Sequence, residues 1–151
     1  MICGEATVDI AVSPQDVLEF VLDLERYRQA DAKIGRVRYV ERTGDRGRAR
    51  FGGRLRGLPT PPASFDFTLT PWTRLEFDSS PGLIRAAGVV FHGEFVCEEG
   101  DAGTRVTHKE CFSFRPPLKW AAEPFIRSWL PDDTRAEMAR MKAILEGAPS
   151  R

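Results

Sequence analysis

From Gly35 to Phe114 the chain repeats with a period of two. Val37 and Tyr39 share one face of a first run; Ala49, Phe51, Gly53 and Leu55 share one face of the next. Phe65, Phe67 and Leu69 follow, then Leu75 and Phe77, then two longer runs at 89–98 and 105–114. Successive side chains of a strand point to opposite faces, so each run reads as a strand with one apolar face. Gly44-Asp45-Arg46-Gly47, the segments 58–62, 70–73 and 79–82, and Gly100-Asp101-Ala102-Gly103 punctuate the runs. Such short connections predict an antiparallel meander.

A further strand precedes the meander. Ala6, Val8, Ile10 and Val12 alternate with Thr7, Asp9 and Ala11. Ser13-Pro14-Gln15-Asp16 ends it with a cap residue, a proline suited to the first helical position and a carboxylate near the cap. A short helix carrying Val17, Leu18, Val21 and Leu22 follows, Asp23 interrupts it, and a second short piece at 24–30 carries Tyr27. Pro116-Pro117 ends the strands. Beyond it Leu118, Ala122, Phe125, Ile126 and Trp129 form a helical stripe that Thr134, Met138, Met141 and Leu145 continue. Pro131 predicts a kink in that helix. The fold class is therefore α+β, with one domain over residues 1–146 and a frayed tail at 147–151.

The order strand, two short helices, six strands, long C-terminal helix resembles the helix-grip fold of the START-like (SRPBCC) superfamily. That group includes polyketide cyclase/dehydrase-like proteins and the birch-pollen-allergen fold. The resemblance is carried by Val12-Ser13-Pro14-Gln15-Asp16-Val17 at the strand-to-helix junction, Asp23-Leu24-Glu25-Arg26-Tyr27 in the second helix and Gly103-Thr104-Arg105-Val106-Thr107 opening the last strand. It implies a curved seven-stranded antiparallel sheet gripping the last helix, with a pocket between them. Arg28-Gln29-Ala30 departs from the Pro and Trp that many relatives carry after the second-helix Tyr.

The residues agree with that expectation. One helix cannot cover a wide sheet face lined with phenylalanine, so a residual apolar cavity is expected, the usual form of a small-molecule site. The candidate lining residues are Tyr39, Phe51, Phe65, Phe67, Phe77, Phe91, Gly93, Phe95 and Phe112 from the sheet, and Phe125, Trp129 and Met138 from the helix. Most of these, taken singly, fit a filled core equally well.

The Gly100–Gly103 loop fixes the pairing of the last two strands. Cys97 falls opposite Val106, Phe95 opposite His108, Gly93 opposite Glu110 and Phe91 opposite Phe112. Because the phenylalanines face inward, His108 and Glu110 face inward with them. These two are the candidate catalytic residues. A carboxyl beside apolar walls is expected to have a raised pKa, which a neighbouring imidazolium would pull back down. The pair suits acid–base chemistry such as proton abstraction next to a carbonyl. A polar anchor for a ligand, or a locally satisfied pair, is the simpler reading and the one favoured here. His92 has the opposite parity and is expected outward. Two histidines and no Cys/His cluster argue against a zinc site, and no metal or other cofactor is expected.

Residues 26–56 hold eleven Lys/Arg against three Asp/Glu. Arg48, Arg50, Arg54 and Arg56 alternate with the apolar set, as do Arg36 and Arg38 around Val37, which puts them on the outer sheet face. Asp66, Glu76 and Asp78 have outward parity on the following strands, so cross-strand ion pairs are expected. Nucleic-acid or anionic-membrane binding is the rival reading, weakened by the lack of interleaved outward aromatics. Over the whole chain 22 basic residues balance 22 acidic ones, which gives no general attraction to a polyanion.

The chain opens without a basic segment leading into a long apolar run, so no signal peptide is expected, and no apolar stretch is long enough to span a membrane. Cys3, Cys97 and Cys111 are expected to be free thiols, which fits a cytoplasmic location. Three functions are compatible with these features: binding or carriage of an apolar or aromatic small molecule, a cyclase or dehydratase using cavity acid–base residues, and an interaction or nucleic-acid-binding protein using the basic face.

Overall fold

In the computed structural model, which describes residues 1–147, seven strands form one antiparallel sheet in the order β1-β7-β6-β5-β4-β3-β2. The strands are β1 (Ile2–Ile10), β2 (Ile34–Thr43), β3 (Arg46–Leu55), β4 (Leu58–Thr70), β5 (Arg74–Ser79), β6 (Val89–Gly100) and β7 (Gly103–Phe114). The short helices α1 (Pro14–Leu22) and α2 (Leu24–Tyr27) follow β1, as the cap residues require. Ser13 Oγ accepts from the Asp16 N–H at 3.1 Å, and Pro14 occupies the first turn. A single turn, α3 (Leu83–Ala86), crosses between β5 and β6. The pairing of β6 with β7 has the expected register: Phe95 faces His108, Gly93 faces Glu110, and Phe91 faces Phe112.

Four details depart from expectation. The C-terminal segment forms two helices, α4 (Leu118–Arg127) and α5 (Trp129–Gly147), broken at Ser128. Pro131 has no N–H for the Arg127 carbonyl and its ring crowds that carbonyl, so the helix restarts with the proline in its first turn. Gly147, expected in the tail, closes α5; residues 148–151 of that tail lie outside the described residues. The break between β3 and β4 falls at Arg56-Gly57, both at positive φ (51° and 83°), as a two-residue hairpin turn requires. Pro59, Pro61 and Pro62 therefore lie within β4 rather than in a loop. Finally, Cys3 and Cys111, which are partners across β1 and β7, form a disulfide, and only Cys97 remains free. Thiol state therefore no longer points to a reducing compartment.

The helix α5 lies across β1. Gly4 makes that approach possible, because a Cβ there would run into the Thr134 hydroxyl and come within 3.0 Å of the Leu130 carbonyl oxygen. The main core gathers α1, α2 and the far part of α5 under the sheet, with Phe20, Val21, Tyr27, Phe67, Leu75 and Met138 all buried. A second, smaller cluster joins Ile2, Phe112, Ile126 and Leu130 where α4 meets α5. Between these two apolar clusters the space under the sheet is not filled. No helix among the described residues is long and apolar enough to cross a membrane.

Candidate functional site

A cavity of about 530 Å³ lies between the sheet and the helices. Phe51, Phe65, Phe77, Phe91, Phe95 and Phe112 line it, together with Gly93, as strand parity predicts, and Phe125 joins them from α4. Their rings pack on one another: Phe51 stacks on Phe65 at 4.7 Å, and Phe65 meets Phe91 edge-on at 5.6 Å. Gly93 widens the cavity where Phe91 leans over it. The cavity is open rather than sealed. Leu58, Leu118 and Phe125 line it and also reach solvent at its rim.

Four residues expected in the lining lie elsewhere. Tyr39 is exposed, because the register shift between Val37 and Tyr39 breaks the alternation and sets Tyr39 opposite the outward Arg50, while Val37 stays opposite the inward Phe51. Phe67 is buried in the main core against Phe77. Met138 is fully buried in the same core, and Trp129 packs on the small cluster at the α4–α5 junction. The lining instead gains residues from the β3–β4 hairpin and from α3, among them Leu55, Leu58 and Ile84.

His108 and Glu110 both line the cavity, at its inner end. They are not alone there. Other elements deliver charged or polar groups: Tyr27 from α2, Asp31 and Lys33 from the α2–β2 connection, and Asp133, Thr134 and Glu137 from α5. Asp31 Oδ1 accepts the Lys33 backbone N–H at 2.9 Å, a local turn that fixes where the lysine stem starts. Asp133 and Glu137 are four residues apart on α5 and so share a face. The Lys33 ammonium sits at the focus, 2.8 Å from Asp133 Oδ2, 2.8 Å from Glu137 Oε2, 2.9 Å from Asp31 Oδ1 and 3.1 Å from Glu110 Oε1.

The remaining contacts tie the groups into one network. Tyr27 donates its hydroxyl proton to Glu137 Oε1. His108 Nδ1 lies 2.9 Å from the Glu94 carbonyl oxygen, which can only accept, so that nitrogen carries a proton. Its Nε2 faces Glu137 Oε1 at 3.3 Å and Glu110 Oε2 at 3.8 Å, and its ring stacks flat on Phe95 at 3.9 Å. The Thr134 hydroxyl lies 2.8 Å from Glu110 Oε1 and 2.9 Å from the Leu130 carbonyl.

Burial and neighbours work against each other in this network. Burial alone would discharge His108, yet Glu137 and Glu110 outweigh it and push its pKa up to about 10, so the ring is an imidazolium at neutral pH. Burial likewise opposes the Lys33 charge, and the surrounding carboxylates raise its pKa well above the ordinary lysine value. Glu110 corrects the sequence expectation. Burial raises it, but Lys33 and then His108 hold it below the usual carboxylate range. Glu137 is lowered in the same way, against its own burial and the charge of Glu110. Asp31 goes the other way: burial and the Glu137 charge raise it in spite of Lys33. Burial also raises Asp133. Tyr27 is raised well above its ordinary value by burial and by Glu137.

Sequence reading missed Lys33, Glu137, Asp31 and Asp133. The one available signal was Glu137 on the apolar stripe, one position before Met138. Asp31, Asp133 and Glu137 offer oxygens close enough together to ligate a cation. The Lys33 ammonium takes the cation's place in that set.

On the outer face Arg48 Nε donates to Asp66 Oδ1 at 2.8 Å, Arg74 to Glu94 at 2.6 Å, and His92 Nδ1 lies 2.7 Å from Asp78. Arg56 donates to the Phe125 carbonyl at 2.7 Å and lies over its ring, tying the β3–β4 hairpin to α4 at the cavity rim.

Comparison with known proteins agrees with the geometry. No curated protein matches the sequence at a significant level. Among solved structures, protein TTHA0849 from Thermus thermophilus superposes with a TM-score of 0.78 at 17% identity, over 97% of this chain and 99% of that one. The Zhui aromatase/cyclase of a Streptomyces species gives 0.72 at 16% identity, over 97% of each chain. The di-domain aromatase/cyclase StfQ of the steffimycin biosynthetic pathway gives 0.73 at 11% identity, over 99% of this chain and 52% of that one. At these identities the likeness is one of fold, the helix-grip fold that the sequence resembles. The sequence also matches the family described as polyketide cyclase / dehydrase and lipid transport over residues 1–146, and the chain belongs to that family.

Proposed function

We propose that this protein binds an apolar, aromatic small molecule in the cavity under its sheet. The observation that carries this reading is an open cavity of about 530 Å³ walled by phenylalanine and ending in a buried polar network. Protein interiors are normally close-packed, so a void of this size with a structured polar end is shaped for an occupant. The family and the aromatase/cyclase neighbours support the same reading. The test is to purify the protein, record native mass spectra, and extract and identify small molecules that travel with it. Binding of an environment-sensitive aromatic dye should be lost in Ala122→Trp, which fills the cavity from α4 while keeping a helix-compatible residue. Retention of dye binding by that variant, with no molecule co-purifying, would sink the reading.

A second reading is acid–base chemistry on the bound molecule, of the kind used in ring closure and dehydration of a polyketone. Glu137 favours it, since it is buried, held ionised, and touched by two proton carriers, Tyr27 and His108. An ionised carboxylate at the end of a cavity can take a proton from carbon next to a carbonyl, and the imidazolium can return one to oxygen. Solvent-deuterium exchange at the methyl group of bound 2-acetylnaphthalene, followed by NMR, measures that step. Catalysed exchange that Glu137→Gln abolishes supports catalysis; no exchange above the buffer rate leaves binding as the whole function.

A further inference from the structure

We infer that the cavity selects ligands whose inner end is a hydrogen-bond donor, a phenolic or enolic hydroxyl or a protonated amine, and rejects ligands headed by a carboxylate or phosphate. The inference rests on the binding function proposed above and specifies the chemistry of its ligand.

The basis is an inventory of donors and acceptors at the inner end. An ammonium has three protons to give, and Lys33 faces four carboxylate oxygens within 3.1 Å, so all three are committed. His108 gives one proton to the Glu94 carbonyl and directs the other at Glu137 and Glu110. The Tyr27 hydroxyl is committed to Glu137, and the Thr134 hydroxyl to Glu110 or Leu130. Every donor of the network is thus engaged within the protein. The acceptors are in surplus, because four carboxylates supply eight oxygens, each able to accept more than one proton. Among the described residues, Glu110 Oε2 faces the imidazole alone, and at 3.8 Å. Glu110 and Glu137 both line the cavity.

Charge points the same way. Asp31, Glu110, Asp133 and Glu137 face two cations, Lys33 and protonated His108, which leaves an excess of negative charge. Burial, and after it the neighbouring carboxylates, raise the pKa values of Asp31 and Asp133. An anionic head group would enter a buried, already negative site with no donor to receive it, whereas a donor would meet ionised acceptors that are otherwise short of partners. The two cations, read singly, look like anchors for an acid; their saturation by the protein's own carboxylates removes that role.

The experiment uses the unaltered protein and four probes of one ring system and one substitution position: naphthalene, 2-naphthol, 2-naphthylmethylamine and 2-naphthoate, titrated at pH 7 by fluorescence or calorimetry. A hydrogen bond to a charged group contributes about 1.5–3 kcal/mol. The naphthol or the amine should therefore bind at least about tenfold more tightly than naphthalene. The naphthoate should bind more weakly than naphthalene. Naphthoate binding as tightly as naphthol would overturn the inference while leaving the cavity as a binding site. Equal affinity for naphthalene, naphthol and the amine would overturn it too, as apolar burial alone would then set affinity. If none of the four binds, the binding function itself fails and the inference falls with it.

Discussion

The two faces of this sheet carry ion pairs of opposite kinds. On the outer face Arg48 meets Asp66 across neighbouring strands, with both side chains about half in solvent. On the inner face Lys33 meets four carboxylates and is only 8% exposed, with Glu110 at 1% and Glu137 at 0%. Water screens the outer pair and competes for it, so its partners lose little if parted. The inner groups have given up hydration for one another, and removing any one strands the rest. Similar atoms at similar distances thus have different consequences. The outer pairs decorate a fold that would form without them, whereas each charge of the inner network depends on the others.

The comparison breaks most visibly at Lys33. Lys33→Met keeps the stem volume and removes the charge, leaving four carboxylates facing each other without a cation. Breaking a buried pair from one side costs about 3–5 kcal/mol. For a chain of this size that is a fall in thermal midpoint of roughly 10 °C. The variant should recover part of the loss on acidification from pH 8 to 5.5. Its stranded carboxylates have folded-state pKa values raised above their unfolded ones, and such groups contribute stability at low pH that is lost as pH rises. Thermal melts of parent and variant across that range check both points. A Lys33→Met protein as stable as the parent at pH 8 would erase the distinction between the two faces.

The next effect is the pH response of His108. Its folded pKa of about 10 lies above the ordinary histidine value, so its contribution is complete below about pH 6.5 and drains away as pH rises toward 10. One proton held by the native state alone corresponds to about 1.4 kcal/mol per pH unit. Between pH 7 and 9 the parent should therefore lose about 2–3 kcal/mol that His108→Phe does not lose. Denaturant midpoints at the two pH values, compared between parent and variant, measure the contribution, because the Cys97 thiol is common to both and the carboxylates that His108 touches titrate on the acid side of this window. Parallel slopes would mean that the ring is neutral and that the excess negative charge at the inner end is larger than described.

What could be read from the sequence follows the same division. The phenylalanine wall was legible because strand alternation and one hairpin loop fix parity, and the β6–β7 register confirms each pair, including His108 and Glu110. Parity failed at Tyr39, where the shift between Val37 and Tyr39 inserts an uncounted residue, since no local residue type announces a bulge there. The rest of the inner end was illegible for a different reason. Asp31 and Lys33 sit in a connection, where charged residues are ordinary, and Asp133 and Glu137 sit on a helix already rich in charge. Only the packing of α5 across Gly4 brings positions about 100 residues apart within 3 Å. The outer pairs needed no such convergence, because neighbouring strands put Arg48 beside Asp66 by register alone.

The smallest effect is the control that gives the others meaning. Arg48 lies on β3, and its Nε reaches Asp66 Oδ1 at 2.8 Å. That hydrogen bond raises the Arg48 pKa and lowers that of Asp66. Yet the guanidinium side chain is 52% exposed and its partner 46%, so either can exchange the other for water with little loss. Arg48→Ala should leave the thermal midpoint nearly unchanged at physiological salt, and any residual difference from the parent should shrink as salt is raised. It should also leave the naphthol affinity untouched, since Arg48 does not line the cavity. Melts at two salt concentrations and one binding curve decide the matter. A loss approaching that of Lys33→Met would mean that the outer face is an organised network in its own right, and the eleven basic residues of 26–56 would then call for a partner.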